Sequence, residues 1–242
     1  MVRYRQVGVS FGPPITGMVR MLVIITAATF ILTYFPGVIF RWELPFQLFG
    51  LRPYDVTHRF FLWQPVTYLF LHAGFFHIIF NLFALWMFGS ELEQKWGPRQ
   101  FLFYFFLTGV GAALFDVLLQ PSAILPTVGN SGAVYGILLA YGLLFPDRPI
   151  LLWLIIPVKA KWFVLVMGLI EFASSFSNPG SKISHIAHLG GMLVGFIYLR
   201  GGGTPSRWQL RYQEWRRARL RRKFETYMRK QDGKDESGRW IN

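Results

Sequence analysis

What most restricts this chain is a succession of apolar stretches that approach the ~20 residues a helix needs to cross the hydrocarbon of a bilayer. They fall at about 18–40, 66–89, 100–119, 131–145, 161–176 and 184–199. The breaks between them carry helix-ending punctuation: Pro45 and Pro53, Gly97-Pro98, Pro121 and Pro126, Pro146 to Pro149, and Asn178-Pro179-Gly180. This pattern predicts an all-α membrane protein with six transmembrane helices. Residues 150–157, ILLWLIIP, are apolar but too short to cross, and read as an interfacial or re-entrant piece. Composition agrees, since 53% hydrophobic and 15% charged residues are too apolar a mixture for a soluble domain of 242 residues. The first run has a basic lead-in (Arg3, Arg5, Arg20) but continues to about Phe40 without a small-x-small cleavage pattern, so it is expected to be a retained span.

The net charge of +13 is concentrated outside this apolar body. Of the 25 Lys and Arg, 12 lie in residues 201–242. Such a tail beside a membrane reports orientation and contact with anionic lipid rather than nucleic-acid binding. The expected organisation is a cytoplasmic N-terminal segment (1–17), a helical domain (18–200) and a basic cytoplasmic tail (201–242). Both termini then share the cytoplasmic side of a cell membrane, and spans two, four and six run inward from the outer face. The tail segment from Arg207 to Lys230 is expected to be helical. Its apolar residues divide between Trp208, Tyr212 and Trp215 on one side and Leu220, Phe224 and Tyr227 on the other, so no single membrane-lying stripe results.

Two of the inward spans are short. The runs 131–145 and 184–199 fall below the length of a full crossing, so the backbone through Pro126 to Asn130 should descend into a recess with Ser131 at its floor. The polar residues of the spans gather on particular faces. His77 and Asn81 stand at i and i+4 on the second span; His188, Gly191 and Gly195 form one stripe on the sixth, and Gly132, Gly136 and Ala140 another on the fourth. Stripes of small residues let membrane helices approach closely, so the fourth and sixth should pack along them and bring His188 beside Ser131. A serine hydroxyl becomes a nucleophile when a neighbouring base takes its proton, and histidine suits that task near neutral pH. A serine at a helix start is surrounded by free backbone N–H groups, to which His77 and Asn81 add side-chain donors for an oxyanion. Asp116 and Glu171 are expected toward other span ends, leaving a Ser–His dyad without a carboxylate.

With these motifs the chain resembles the rhomboid intramembrane serine proteases of the six-helix prokaryotic type, over roughly residues 41–200. The G-x-S-G pattern is met by Gly129-Asn130-Ser131-Gly132, H-x-x-x-N by His77 and Asn81, and A-H-x-x-G-x-x-x-G by Ala187, His188, Gly191 and Gly195. The resemblance implies a rhomboid-like bundle whose short fourth helix starts inside the membrane. It further implies Ser131 as nucleophile, His188 as base, His77, Asn81 and the Ser131 amide as oxyanion hole, and Tyr135 as the aromatic stacked on the histidine. Transmembrane proteins would be its substrates, cut without a metal or cofactor; oligomeric state is left open. Many relatives carry Trp-Arg in the first outer loop where this chain has Trp63-Gln64. His185 is set aside as the base because it would put Met192 in place of the distal glycine, and should face the recess or the outer surface. His72 reads as a loop anchor.

Other classes fit less well. With no cysteine, thiol chemistry and thiolate metal sites are excluded. His185 and His188 at i, i+3 lack an H-E-x-x-H frame or an obvious third ligand. There is no matched pair of membrane aspartates for an aspartyl protease, and no internal repeat for a transporter. A catalytically silent relative that binds membrane clients is the alternative within the same resemblance.

Overall fold

The computed structural model describes residues 12–152, 156–177, 184–202, 219–222, 224–225 and 228. The chain is mostly helical, and four of its helices are long and apolar enough to cross a membrane: α1 (Gly17–Phe40), α2 (Phe75–Trp96), α3 (Pro98–Leu119) and α5 (Ala160–Ser177). Two shorter helices complete the set considered below, α4 (Ser131–Leu144) and α6 (His185–Arg200).

Helix α1 buries one narrow stripe, Val19, Leu22, Thr26 and Phe30, at helical spacing. Around the rest of it Ile24, Ile31, Leu32, Val38 and Phe40 are exposed. An apolar surface of that extent is at home in lipid rather than in water. Its N-terminus is held by a carboxylate from another helix: Glu93 accepts from the amides of Met18 (3.1 Å) and Val19 (3.0 Å) and from the Thr16 hydroxyl. That satisfies amides which the helix itself leaves unpaired and places negative charge at the positive end of its dipole.

The second apolar run departs from expectation at its start. Helix α2 begins only at Phe75, after Gly74, and passes through a π-helical turn at Leu85–Gly89 before ending at Trp96. Residues Gln64–Phe70 instead form short helical turns with Tyr68 and Leu69 buried, followed by buried Leu71. Their apolarity serves packing under the preceding loop rather than a membrane crossing; the Tyr68 hydroxyl donates to the Gly109 carbonyl of α3 (2.7 Å). Residues 150–157 also differ. The described part forms a two-stranded antiparallel ribbon, β1 (Pro149–Leu152) and β2 (Ile156–Lys159), with Ile150 opposite Val158. At its base Asp147 lies 2.9 Å from the Lys161 ammonium and 3.4 Å from that of Lys159. Hydrogen bonds from the two lysines hold its carboxyl below the usual carboxylate range.

Helix α3 is the most buried of the four long helices and forms the post against which α4 and α6 pack. It starts cleanly, with Gly97 at φ 86° and Pro98 in the first turn. The small-residue stripes of α4 and α6 meet directly at one point, where a Cβ on Gly191 would lie 2.0 Å from the Gly132 carbonyl oxygen. Farther along they do not face each other. Gly136 opens onto Thr108 and Gly195 onto Tyr104 and Thr108, all of α3, and the Tyr104 hydroxyl donates to the Gly136 carbonyl (2.8 Å). The expected two-helix seam is therefore a three-helix junction, because the Tyr104 and Thr108 side chains fill the space the glycines leave.

Residues from Gly202 onward form a separate unit. Its described residues 219–222, 224–225 and 228 are helical, with Arg221 paired to Glu225 at 3.0 Å. The expectation for Trp208, Tyr212, Trp215 and Tyr227 lies outside the described residues.

Gly191→Ala should drive α4 and α6 apart, with a loss of at least ~1–3 kcal/mol as for an overpacked core. Thermal unfolding of the detergent-solubilised chain should show a lowered midpoint, whereas an unchanged midpoint would mean the helices tolerate separation.

Candidate active site

The loop that delivers Ser131 is pinned on three sides. Leu51 and Thr127 exchange backbone hydrogen bonds (2.9 and 2.8 Å), the Gly129 amide donates to the Tyr68 carbonyl (2.9 Å), and the Thr127 hydroxyl donates to Asp116 (3.1 Å). Asp116 also accepts from Gln120 and from Ser184, each at 2.9 Å. Ser184 in turn caps α6, accepting from the Ala187 amide (3.1 Å). One buried carboxylate, expected from the sequence toward another span end, thus ties the end of α3, the serine loop and the start of α6.

Helix α4 opens at Ser131 after Asn130, whose side chain makes no capping bond. The first intrahelical bond runs from the Val134 amide to the Asn130 carbonyl (2.9 Å), so helix geometry leaves the amides of Ser131, Gly132 and Ala133 without an intrahelical acceptor. The Ser131 hydroxyl lies 2.7 Å from Nε2 of His188. The Tyr135 ring stacks on the imidazole, with centroids 4.3 Å apart and planes inclined by 14°. His77 is brought to the same place, its ring against Gly129: a Cβ there would sit 2.7 Å from both Cε1 and Nε2. Gly129 also has φ 112°, a backbone conformation that favours glycine. Asn81 is buried, and its amide nitrogen donates to the His77 carbonyl one turn back (2.9 Å). That bond uses one of the two protons of the amide nitrogen.

Glu171 is where sequence reasoning failed. Instead of lying toward another span end, it is buried and centred on the histidines, with Oε2 2.7 Å from Nδ1 of His185 and 2.9 Å from Nδ1 of His188. The Tyr135 hydroxyl donates to its other oxygen. His185, expected to face the recess or the outer surface, is turned toward Glu171 of α5 beside His188. A signal was present in the sequence, since an ionisable residue within an apolar span is itself a pointer to a site. Glu171, His185 and His188 offer one donor atom each within 4.8 Å, a spacing that a metal ion could bridge. The contacts to Oε2 are those of a carboxylate already partnered by two ring nitrogens.

Two further polar residues lie under the site. Asn130 and His72 are both fully buried, and they are neighbours beneath the serine loop. The His72 ring centroid is 4.9 Å from that of His77. In the 41–65 loop, Gln64 is fully buried; its carbonyl accepts from the Arg52 amide (2.9 Å) and its nitrogen donates to the Leu48 carbonyl (3.3 Å), which the Trp63 indole N–H also reaches at 2.9 Å. A neutral amide, able both to donate and to accept, thus cross-links this loop where many relatives carry arginine.

A rhomboid domain model matches residues 59–202, more than half of the chain. The chain belongs to the rhomboid family. Among curated proteins this rhomboid is similar to "Rhomboid protein 1, mitochondrial" of Saccharomyces cerevisiae, at 26% identity over 65% of this chain and 47% of that one. It is 34% identical to "Rhomboid-like protein 11, chloroplastic" of Arabidopsis thaliana, over 63% of this chain and 57% of that one. It is 29% identical to "Putative rhomboid protease YdcA" of Bacillus subtilis, over 56% of this chain and 64% of that one. The rhomboid spans less than two thirds of the length of each of these relatives.

Gly129→Ala should displace the His77 ring and strain the loop at once, lowering the rate at which a fluorophosphonate labels Ser131 by about tenfold or more, the scale of a damaged oxyanion site. A labelling rate equal to that of the unsubstituted chain would show that His77 does not depend on the missing Cβ.

Proposed function

We propose that this rhomboid is an intramembrane serine endopeptidase that cuts transmembrane or juxtamembrane segments of membrane proteins through Ser131 and His188. The observation that carries this reading is the 2.7 Å contact between the Ser131 hydroxyl and Nε2 of His188, at the uncapped start of a short helix within an apolar bundle. Ser131 Oγ attacks the scissile carbonyl carbon while its proton passes to Nε2. The resulting oxyanion takes hydrogen bonds from the Ser131 amide, His77 and Asn81. Collapse of the tetrahedral adduct breaks the C–N bond, and Nε2–H returns the proton to the departing amine, leaving an acyl-enzyme. Water then attacks the acyl carbonyl carbon as its proton passes to the same nitrogen, the ester bond to Oγ breaks, and the acid product leaves as Nε2–H returns the proton to Ser131. Tyr135 keeps the imidazole in the plane this shuttle requires, and Gly132, Gly191 and Gly195 allow the helices to approach closely enough for it.

In this reading the chain crosses a cell membrane six times with both termini in the cytoplasm, and the recess above Ser131 opens to the outer face. Residues 18–200 form the protease domain, with 1–17 and the basic 201–242 as cytoplasmic extensions, the latter facing anionic lipid. A substrate helix must unwind locally, because its carbonyls are otherwise engaged in its own hydrogen bonds. Segments weakened by small or helix-breaking residues are therefore the favoured substrates.

Ser131→Ala and His188→Ala should each abolish cleavage of a model transmembrane substrate in proteoliposomes, with expression and thermal stability retained. Full cleavage by Ser131→Ala would refute the assignment. A chain that binds the substrate but neither cuts it nor takes up a serine-directed probe would be a silent client-binding relative.

A further inference from the structure

We infer that Glu171 is a positioning residue for the reaction, the third member of a Ser131–His188–Glu171 relay held between α4, α5 and α6. The inference rests on the protease reading above and adds to it a carboxylate that a Ser–His dyad does without.

The donor chemistry fixes the direction of the relay. An ionised carboxylate only accepts hydrogen bonds, so a ring nitrogen placed against it carries the proton. With Oε2 2.9 Å from Nδ1 of His188, the favoured tautomer is Nδ1–H, which leaves Nε2 as the acceptor facing the Ser131 hydroxyl 2.7 Å away. That is the tautomer a general base needs. The contact has ion-pair distance without meeting full hydrogen-bond alignment, and among the described residues Nδ1 has no other partner. When Nε2 takes the serine proton the ring becomes a cation, and the charge it gains faces Glu171 across that 2.9 Å. The Nδ1 proton stays on the imidazole throughout and is not passed to the carboxylate.

Glu171 is itself held in place from two helices. Tyr135 of α4 donates to Oε1, and His185 of α6 contacts Oε2 at 2.7 Å. Tyr135 thus does two things at once, stacking on the imidazole and fixing the carboxylate that polarises it. The titratable groups around His188 are Glu171 from α5, Tyr135 from α4, His185 from its own helix, and, at longer electrostatic range, Asp116 from α3 and His77 from α2. Of these, only Glu171 is both anionic and within contact distance.

The test uses the full chain in proteoliposomes, comparing Glu171→Gln, Glu171→Asp and the unsubstituted protein for cleavage of a transmembrane substrate and for fluorophosphonate labelling across pH. Glu171→Gln should lower kcat at least about tenfold, short of the ~10⁴-fold seen where an aspartate alone sets the tautomer, with KM little changed. Removing the anion makes the imidazolium easier to deprotonate, so the acid limb of the pH–rate profile should move to lower pH. Glu171→Asp should recover part of the rate and of the shift. A helix clip alone would predict lowered stability with the pH profile of the remaining activity unmoved, and that result would overturn the inference. Where Glu171→Gln fails to fold, nitrogen-15 histidine labelling of the unsubstituted chain decides: a downfield proton on His188 Nδ1 supports the relay, and a protonated Nε2 tautomer overturns it. Labelling that requires Ser131 and His188 but ignores Glu171 sinks this inference alone; no labelling of the unsubstituted chain sinks the protease reading with it.

Discussion

The site exists because two helix backbones touch. Gly132 and Gly191 approach so closely that a methyl group on Gly191 would overlap the Gly132 carbonyl oxygen. In lipid no hydrophobic force pushes helices together, and close packing of small residues has to supply the attraction. Ser131 stands next to Gly132 on α4 and His188 one turn before Gly191 on α6, and their separation of 2.7 Å follows from how near the two axes come. The placement of His77 and the stacking of Tyr135 are arranged around that pair.

Polarity around the pair is layered. Nearest to Ser131 are amides that the short helix leaves unpaired, beside a His77 ring seated on Gly129. Behind His188 stands Glu171, and beneath the loop lie His72 and Asn130, fully buried. Groups of this kind are costly in an apolar bundle, and their concentration around Ser131 and His188 is what marks a candidate site there. Elsewhere the polar residues have structural work, as Glu93 does at the start of α1 and Gln64 in the 41–65 loop.

Much of this was legible in the sequence because it depends on spacing within single helices. His77 with Asn81 and His188 with Gly191 each occupy adjacent turns, and helical periodicity alone places them on common faces, while Gly129 to Gly132 is a contiguous motif at a helix start. Glu171 was not legible in the same way. Whether it meets His188 depends on how α5 is rotated against α6, which no periodicity within either helix specifies. The stripe of Gly136 and Gly195 misled for a similar reason, since the space beside both is taken by Tyr104 and Thr108 of a third helix. Residues 66–74 misled differently: Tyr68, Leu69 and Leu71 are apolar because protein covers them, and burial under a loop looks the same in sequence as burial in lipid.

The Asp116 carboxylate has a mechanical meaning. It binds Thr127 on the serine loop, Ser184 at the head of the histidine helix, and Gln120 beyond its own helix. The loop before Ser131 and the helix that carries His188 are therefore registered to one post. The serine loop and the head of α6 are moored to the same carboxylate, so that in the protease reading proposed above a displacement of one would carry the other with it.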